Sequence, residues 1–166
     1  MNPEICIIAA LAEKNRVIGK DGEIPWYIPE DMRHFRDLTK PHPVIMGRKT
    51  FKSVYDKLGK PLPDRVNIVI SRQDSLSDYQ GITLAHSIEE ALIVGQALDS
   101  ESVFVAGGGE IYEQTMDLAD RLYLTLVEGN FQGDTFFPDY SEFKNMVSEL
   151  PGESGGIKYK FLELTR

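Results

Sequence analysis

The sequence predicts an α/β fold: a mostly parallel central sheet of about eight strands with a C-terminal antiparallel hairpin, flanked by about four helices. Three observations predict it. Short apolar, β-branched runs recur along the chain, helical patterns fall between several of them, and after Gly129 only strand-like segments follow. Strands that alternate with helices pair in parallel, because returning the chain to the same end of the sheet takes a long crossover, usually helical.

The runs 5–11, 43–47, 66–71, 82–85, 102–106 and 121–127 are each short enough for a buried strand. Pro29 followed by Glu30 and Asp31 opens a first helix running to about Leu38: proline suits the first helical position, and acids favour the positive end of the helix dipole. A second helix runs from Arg48 to about Leu58. A third, over 87–98, is capped by Ser87 with Glu90 three residues later, and a fourth spans 110–116. Residues 143–150 and 157–165 read as two strands joined by Pro151-Gly152-Glu153-Ser154-Gly155-Gly156, an antiparallel hairpin that closes the sheet.

The chain of 166 residues fits a single domain over 1–166, long enough to bury roughly two thirds of the surface it would expose unfolded. Cys6 has no partner for an internal disulfide and sits in the apolar run Ile5-Cys6-Ile7-Ile8, so a reducing, cytoplasmic compartment is expected. No apolar stretch approaches membrane-spanning length, and Met1-Asn2-Pro3-Glu4 lacks the basic start of a secretory leader. A net charge of -8 argues against nucleic acid or an anionic membrane as the main partner. Any anionic ligand must meet locally concentrated Lys and Arg.

On the first helix Ile28, Asp31 with Met32, Phe35 and Leu38 follow the spacing of a buried face, and one of those positions is an acid. Asp31 either complements the helix dipole, a role Glu30 already fills from the polar side, or anchors a ligand inside a pocket. A carboxylate on an apolar face must find partners or shift its pKa.

Val44-Ile45-Met46-Gly47-Arg48-Lys49-Thr50 is a strand ending in glycine, then a helix start with two cations and a hydroxyl. It is either a solvated basic helix start or an anion site built from free N–H groups, the dipole, Arg48 and Lys49. A second strand-to-helix turn, Val103-Phe104-Val105-Ala106-Gly107-Gly108-Gly109-Glu110, is either a tight turn or a place where backbone approaches a ligand. Ligands of open α/β sheets sit outside the carboxyl ends of the strands, so both turns could line one crevice and hold a dinucleotide between them. His34, His42 and His86 are scattered and read as surface residues; with no Cys pairs, no metal site is expected.

Ile8-Ala9-Ala10, Val17-Ile18-Gly19, Ile24-Pro25-Trp26, Pro29-Glu30-Asp31, the segment 44–50, Pro61-Leu62-Pro63-Asp64-Arg65, Gly107-Gly108-Gly109 and Gly133-Asp134-Thr135 occur in one order along the chain. In order and spacing they resemble the chromosomal-type bacterial dihydrofolate reductases from about residue 5 to 166. The resemblance implies NADPH-dependent reduction of 7,8-dihydrofolate, with hydride passing to C6 and a proton to N5. It implies a pterin pocket of Ile8, Ala9, Met32 and Phe35 widened by Val54, Leu62 and Ala106. Asp31 would bind the amidine edge, supported by Thr125. Trp26, otherwise a buried anchor, would share a water with Asp31. Arg65, otherwise a loop cation, would clamp the substrate's α-carboxylate with Lys60 nearby.

For NADPH the resemblance implies a nicotinamide near Ala10, Ile18, Gly19 and Tyr112 and a pyrophosphate at Gly47, Lys49, Thr50 and the turn Gly107, Gly108, Gly109, Glu110 and Ile111. The 2′-phosphate would lie near Arg48 and Arg72, flanked by Ser71, Gln73 and Gln114. The stretch 12–27 reads as a mobile lid over the nicotinamide. Lys14-Asn15 and the segment 55–59 lengthen the chain relative to that family. Ala106 is smaller than its usual branched residue, and Glu110 stands where many relatives carry a cation, so its backbone N–H rather than its side chain is expected to serve. A monomer is expected. The rival readings are a pyrimidine reductase of riboflavin synthesis on the same fold and a nucleotide-binding module without catalysis.

Overall fold

The computed structural model describes residues 2–166; Met1, which opens both the predicted domain and the segment read against a leader, lies outside them. Strands β1 (Glu4–Ala12), β2 (Val17–Gly19) and β3 (Val44–Gly47) enclose helix α1 (Pro29–Thr39), and α2 (Arg48–Leu58) leads to β4 (Asn67–Ile70) and β5 (Ile82–Ala85). Helix α3 (Ile88–Leu98), β6 (Ser102–Val105), α4 (Gly109–Thr115) and a 3-10 turn at Met116–Leu118 follow. The chain ends with β7 (Arg121–Val127), β8 (Thr135–Phe136), β9 (Asn145–Ser154) and β10 (Ile157–Thr165).

Eight strands form one sheet in the order β5-β4-β3-β6-β1-β7-β10-β9, parallel except where β10 runs against β7 and β9. The central strands are covered on both faces, which is why they read as continuous apolar runs. Alternate residues of β1 divide between the layers: Ile7, Ala9 and Leu11 pack with Ile88, Leu92, Tyr112 and Met116 of the α3 and α4 layer. Cys6 and Ile8 face the other way, with Phe51 of α2 and the half-buried Phe35 and Leu38 of α1. Phe51 is fully buried, and removing such a ring from a packed core costs about 3–5 kcal/mol.

The strand and helix positions agree with the sequence pattern within a residue or two, and Ser87 caps α3 by accepting from Glu90 N at 3.0 Å. The hairpin differs. Its expected six-residue loop shrinks to Gly155-Gly156, whose φ values of 56° and 83° suit a tight turn between twisted strands. Strand β9 continues through Pro151 because it is the sheet edge, where a missing N–H costs no interior ladder bond. It also begins later than expected: Phe143 is buried in the core ahead of it.

The expected lid contains β2, which pairs antiparallel with β8 in a separate two-stranded sheet, and a tight turn in which Lys20 and Glu23 exchange backbone hydrogen bonds of 2.8 and 3.0 Å. Two histidine placements are corrected. His86 is exposed, but His34 and His42 are half-buried, the first stacked on Phe161 and the second 2.8 Å from Asp99.

Candidate active site

Asp31 lies in the first turn of α1, after Pro29, with its backbone N–H bonded to Ile28 O at 3.0 Å. Its carboxylate Oδ1 accepts a 2.6 Å hydrogen bond from Thr125 Oγ1 near the carboxyl end of β7. Burial raises the Asp31 pKa and the hydroxyl only partly offsets that. One neutral donor is a thin supply for a carboxylate turned toward the sheet, so its second oxygen can take a ligand's N–H groups.

Around it, Tyr112 donates its hydroxyl to Ile8 O at 2.7 Å, and burial together with the Asp31 charge keeps this phenol protonated. Ala10 is the register partner of Thr125, on the strand beside it. Trp26 is half-buried, edge-on to Phe131 at 5.0 Å, in a cluster with Ile28 and Val127. Ile8, Phe35, Val54, Leu62 and Ala106 belong to one apolar cluster on the α1 and α2 face.

Two predicted pocket residues are placed differently. The Ala9 side chain packs in the opposite layer, against the α3 and α4 face, because alternate residues of a strand point to opposite sides. Met32, expected on the buried face of α1, is 58 % exposed; Phe35 and Leu38 reach the core cluster, whereas Met32 joins none. Lys60 is exposed. Arg65 is half-buried, donating to Thr39 Oγ1 and Pro63 O at 2.8 Å each. This loop is held by a residue the sequence pattern missed: Asn67, whose side chain bonds Leu62 N and O at 2.9 Å each. Its signal was a polar residue at the start of an otherwise apolar strand.

The two glycine turns meet. Gly47 N donates to Gly107 O at 2.9 Å, and a Cβ on Gly47 would stand 3.5 Å from Ile111 Cγ1. Gly107 has φ 109° and precedes a cis peptide to Gly108. Beside them opens a cleft of about 770 Å³, lined by Gly47, Arg48, Lys49, Thr50, Ser71, Arg72, Gln73, Gly108, Gly109, Glu110, Ile111 and Gln114. Both α2 and α4 start on glycine with no side-chain cap, so the cleft faces backbone N–H groups and three cationic side chains. Glu110 is exposed at its rim.

Ala10, Ile18, Gly19, Gly107 and Tyr112 do not line this cleft. Ile18 packs against the main core, Gly19 pairs with Thr135, and Gly107 abuts the Tyr112 ring. Ile70, His86, Ser87, Ile88 and Glu89 line it unforeseen. They lie at or just beyond the carboxyl ends of β4 and β5, where open α/β sheets place their ligands, but no glycine turn marks those ends in the sequence.

A family model described as dihydrofolate reductase matches residues 4–166. The dihydrofolate reductase type 3 of Salmonella typhimurium is 46% identical over 136 residues, covering 82% of this chain and 79% of that protein. The dihydrofolate reductase of Bacillus subtilis (strain 168) is 39% identical over 154 residues, 90% of this chain and 88% of its own. A solved dihydrofolate reductase from Enterococcus faecalis, complexed with NADP(H) and RAB-propyl, superposes with a TM-score of 0.84 at 29% identity, covering 100% of this chain and 99% of that one. By its sheet, its two abutting glycine turns and its sequence, this chain belongs to the dihydrofolate reductase family.

Proposed function

We propose that this chain reduces 7,8-dihydrofolate to 5,6,7,8-tetrahydrofolate with NADPH, supplying one-carbon metabolism. A hydride reaches C6, a proton reaches N5, and NADP⁺ leaves. The observation that carries the reading is Asp31, a carboxylate with a raised pKa and one neutral partner, set at the carboxyl end of the sheet above the Ile8 cluster.

The cleft suits NADPH in shape and charge: a groove of about 770 Å³ with Arg48, Lys49, Arg72 and uncapped helix starts fits phosphates. When bound, NADPH supplies the hydride from its nicotinamide. Arg48 and Arg72 take the 2′-phosphate; Lys49, Thr50 and the backbone of residues 107–111 take the pyrophosphate. Ala10, Ile18, Gly19 and Tyr112 border the nicotinamide.

Asp31 accepts the pterin's amidine N–H groups through its second oxygen while Thr125 holds the first. An anion at that edge favours protonation of N5, and a protonated N5 makes C6 the better hydride acceptor. The Trp26 indole N–H holds a water beside Asp31. Ile8, Phe35, Val54, Leu62 and Ala106, with Met32 from the exposed side and the Ala9 backbone, wall the ring and exclude solvent. Arg65, fixed through Thr39 and Pro63, presents its remaining donors to the α-carboxylate, with Lys60 behind it.

The same reading takes residues 1–166 as a monomeric, cytoplasmic domain with no nucleic-acid partner. The net charge of -8 and a lone Cys6 whose thiol burial pushes up to about 12 support it. No helix among the described residues is long and apolar enough to cross a membrane.

The test is a steady-state assay of the purified protein with dihydrofolate and either NADPH or NADH. Oxidation of NADPH that depends on dihydrofolate is expected. NADPH binding without oxidation would favour a nucleotide-binding module, and turnover of a phosphorylated ribosyl-pyrimidine instead would favour the pyrimidine reductase.

A further inference from the structure

Helix α1 carries Asp31 at its N-terminal end, which meets the sheet through individual side-chain contacts. Its N-cap, Ile28, supplies no side-chain cap, and the one fully buried residue within the helix is Thr39 at the far end, tied to Phe35 O and Arg65. Besides Ile28, the first half makes three contacts with the sheet: Glu30 beside Ser154 of β9, the Thr125 hydrogen bond to Asp31, and the His34 ring stacked on Phe161 with centroids 3.9 Å apart and planes 14° from parallel.

The Asp31 and His34 contacts are geometrically coupled. Phe161 on β10 is the register partner of Thr125 on β7, so both side chains rise from the same face of the sheet. Neighbouring strands lie about 4.8 Å apart, and three residues of helix advance about 4.5 Å. Asp31 and His34 therefore step along the helix by the same distance that Thr125 and Phe161 step across the sheet. One orientation of α1 makes both contacts at once, and with Thr39 pinning the far end they set together how the first turns lie on the sheet.

We propose that His34 is a positioning residue for Asp31, its stack on Phe161 steadying the first turns of α1 on the sheet so that the Asp31 carboxylate stays in register with Thr125 and the bound pterin. The proposal rests on the reading of Asp31 as the substrate's anchor. His34 has no place in the binding machinery described above; it acts through the helix. Burial lowers its pKa, so at neutral pH the ring is uncharged and the stack is an apolar contact of two flat rings. A phenyl ring should replace it and a methyl group should not.

The test compares His34→Ala, His34→Phe and Phe161→Leu with the parent by single-turnover hydride transfer across pH, with NADPH affinity measured separately by fluorescence. Asp31→Asn is run alongside. His34→Ala and Phe161→Leu should each slow hydride transfer roughly tenfold and move the apparent pKa of the rate profile, because small misplacements of a reacting group are costly. NADPH affinity should stay within about twofold, and His34→Phe should restore both rate and profile. Phe161→Leu keeps apolar bulk at the core side, so it serves if His34→Ala folds poorly.

A His34→Ala profile matching the parent's, beside an Asp31→Asn profile that collapses, would overturn the positioning role alone. So would His34→Phe failing as badly as His34→Ala. An unchanged Asp31→Asn profile would overturn the reading of Asp31, and the positioning role with it.

Discussion

At the edge where the parallel strands begin, Arg121 Nη1 lies 2.6 Å from Glu163 Oε1 and its Nε lies 3.1 Å from Glu4 Oε2. There Asp99 accepts from the backbone N–H of Glu101 and Ser102 and sits 2.8 Å from His42 Nδ1. Where the same strands end, Asp31 has one hydroxyl, α2 and α4 start without side-chain caps, and Arg48, Lys49 and Arg72 make no ion pair among the described residues. The first edge spends its polar groups on one another. The second leaves its cations and helix starts turned toward a cleft, and Asp31 with one oxygen free, so that a ligand's polar groups can meet them.

The largest effect that would sharpen this contrast is on Asp31. Asp31→Asn keeps the size and the acceptor for Thr125 but removes the charge. Hydride transfer should fall by about 10²-fold or more, most severely at high pH, where unassisted protonation of N5 is scarce. NADPH affinity should barely move. Single-turnover rates unchanged from the parent would mean that the under-satisfied carboxylate has no chemical task.

Next in size is the cofactor side. Arg72→Ala and Arg48→Ala should each weaken NADPH binding by about tenfold, since each removes a charge-assisted bond to phosphate. NADH, which has no 2′-phosphate, should bind both variants as it binds the parent. The preference for NADPH should also shrink as salt rises. Equal losses for the two cofactors would show these arginines shaping the cleft rather than reading the phosphate.

The paired edge and the open edge were not equally legible in the sequence. Parallel strands announce themselves because burial on both faces makes them apolar throughout, and the Ser87 cap and the two glycine turns are local chemistry. Partnership across distance is different: Asp31 and Thr125 lie 94 positions apart, and no local spacing pairs them without the family resemblance. The stack of His34 on Phe161 is equally non-local, so the histidine read as surface. Strand β9 through Pro151 became possible because the strand is an edge, a property of the whole sheet. Strands β2 and β8 are too short to show a period.

The smallest effects concern stability, and there the two edges should respond to pH with opposite sign. Burial would raise the Asp99 pKa, but the Glu101 N–H, His42 and the Ser102 N–H outweigh it and hold the carboxyl below its ordinary value. A depressed pKa contributes stability above the unfolded value, and that contribution is lost as pH falls through the folded one. Asp99→Asn should therefore cost about 1 kcal/mol at neutral pH, the deficit closing only in acid below the ordinary carboxylate range. For Asp31 the folded pKa is raised, so ionising it in place costs stability as pH rises from its ordinary value through the folded one. Asp31→Asn should melt a few degrees higher than the parent at neutral pH and lose that advantage in acid. Thermal melts of both variants over the same pH series read this directly. Two curves of the same sign would erase the distinction between a carboxylate built into the fold and one held ready for substrate.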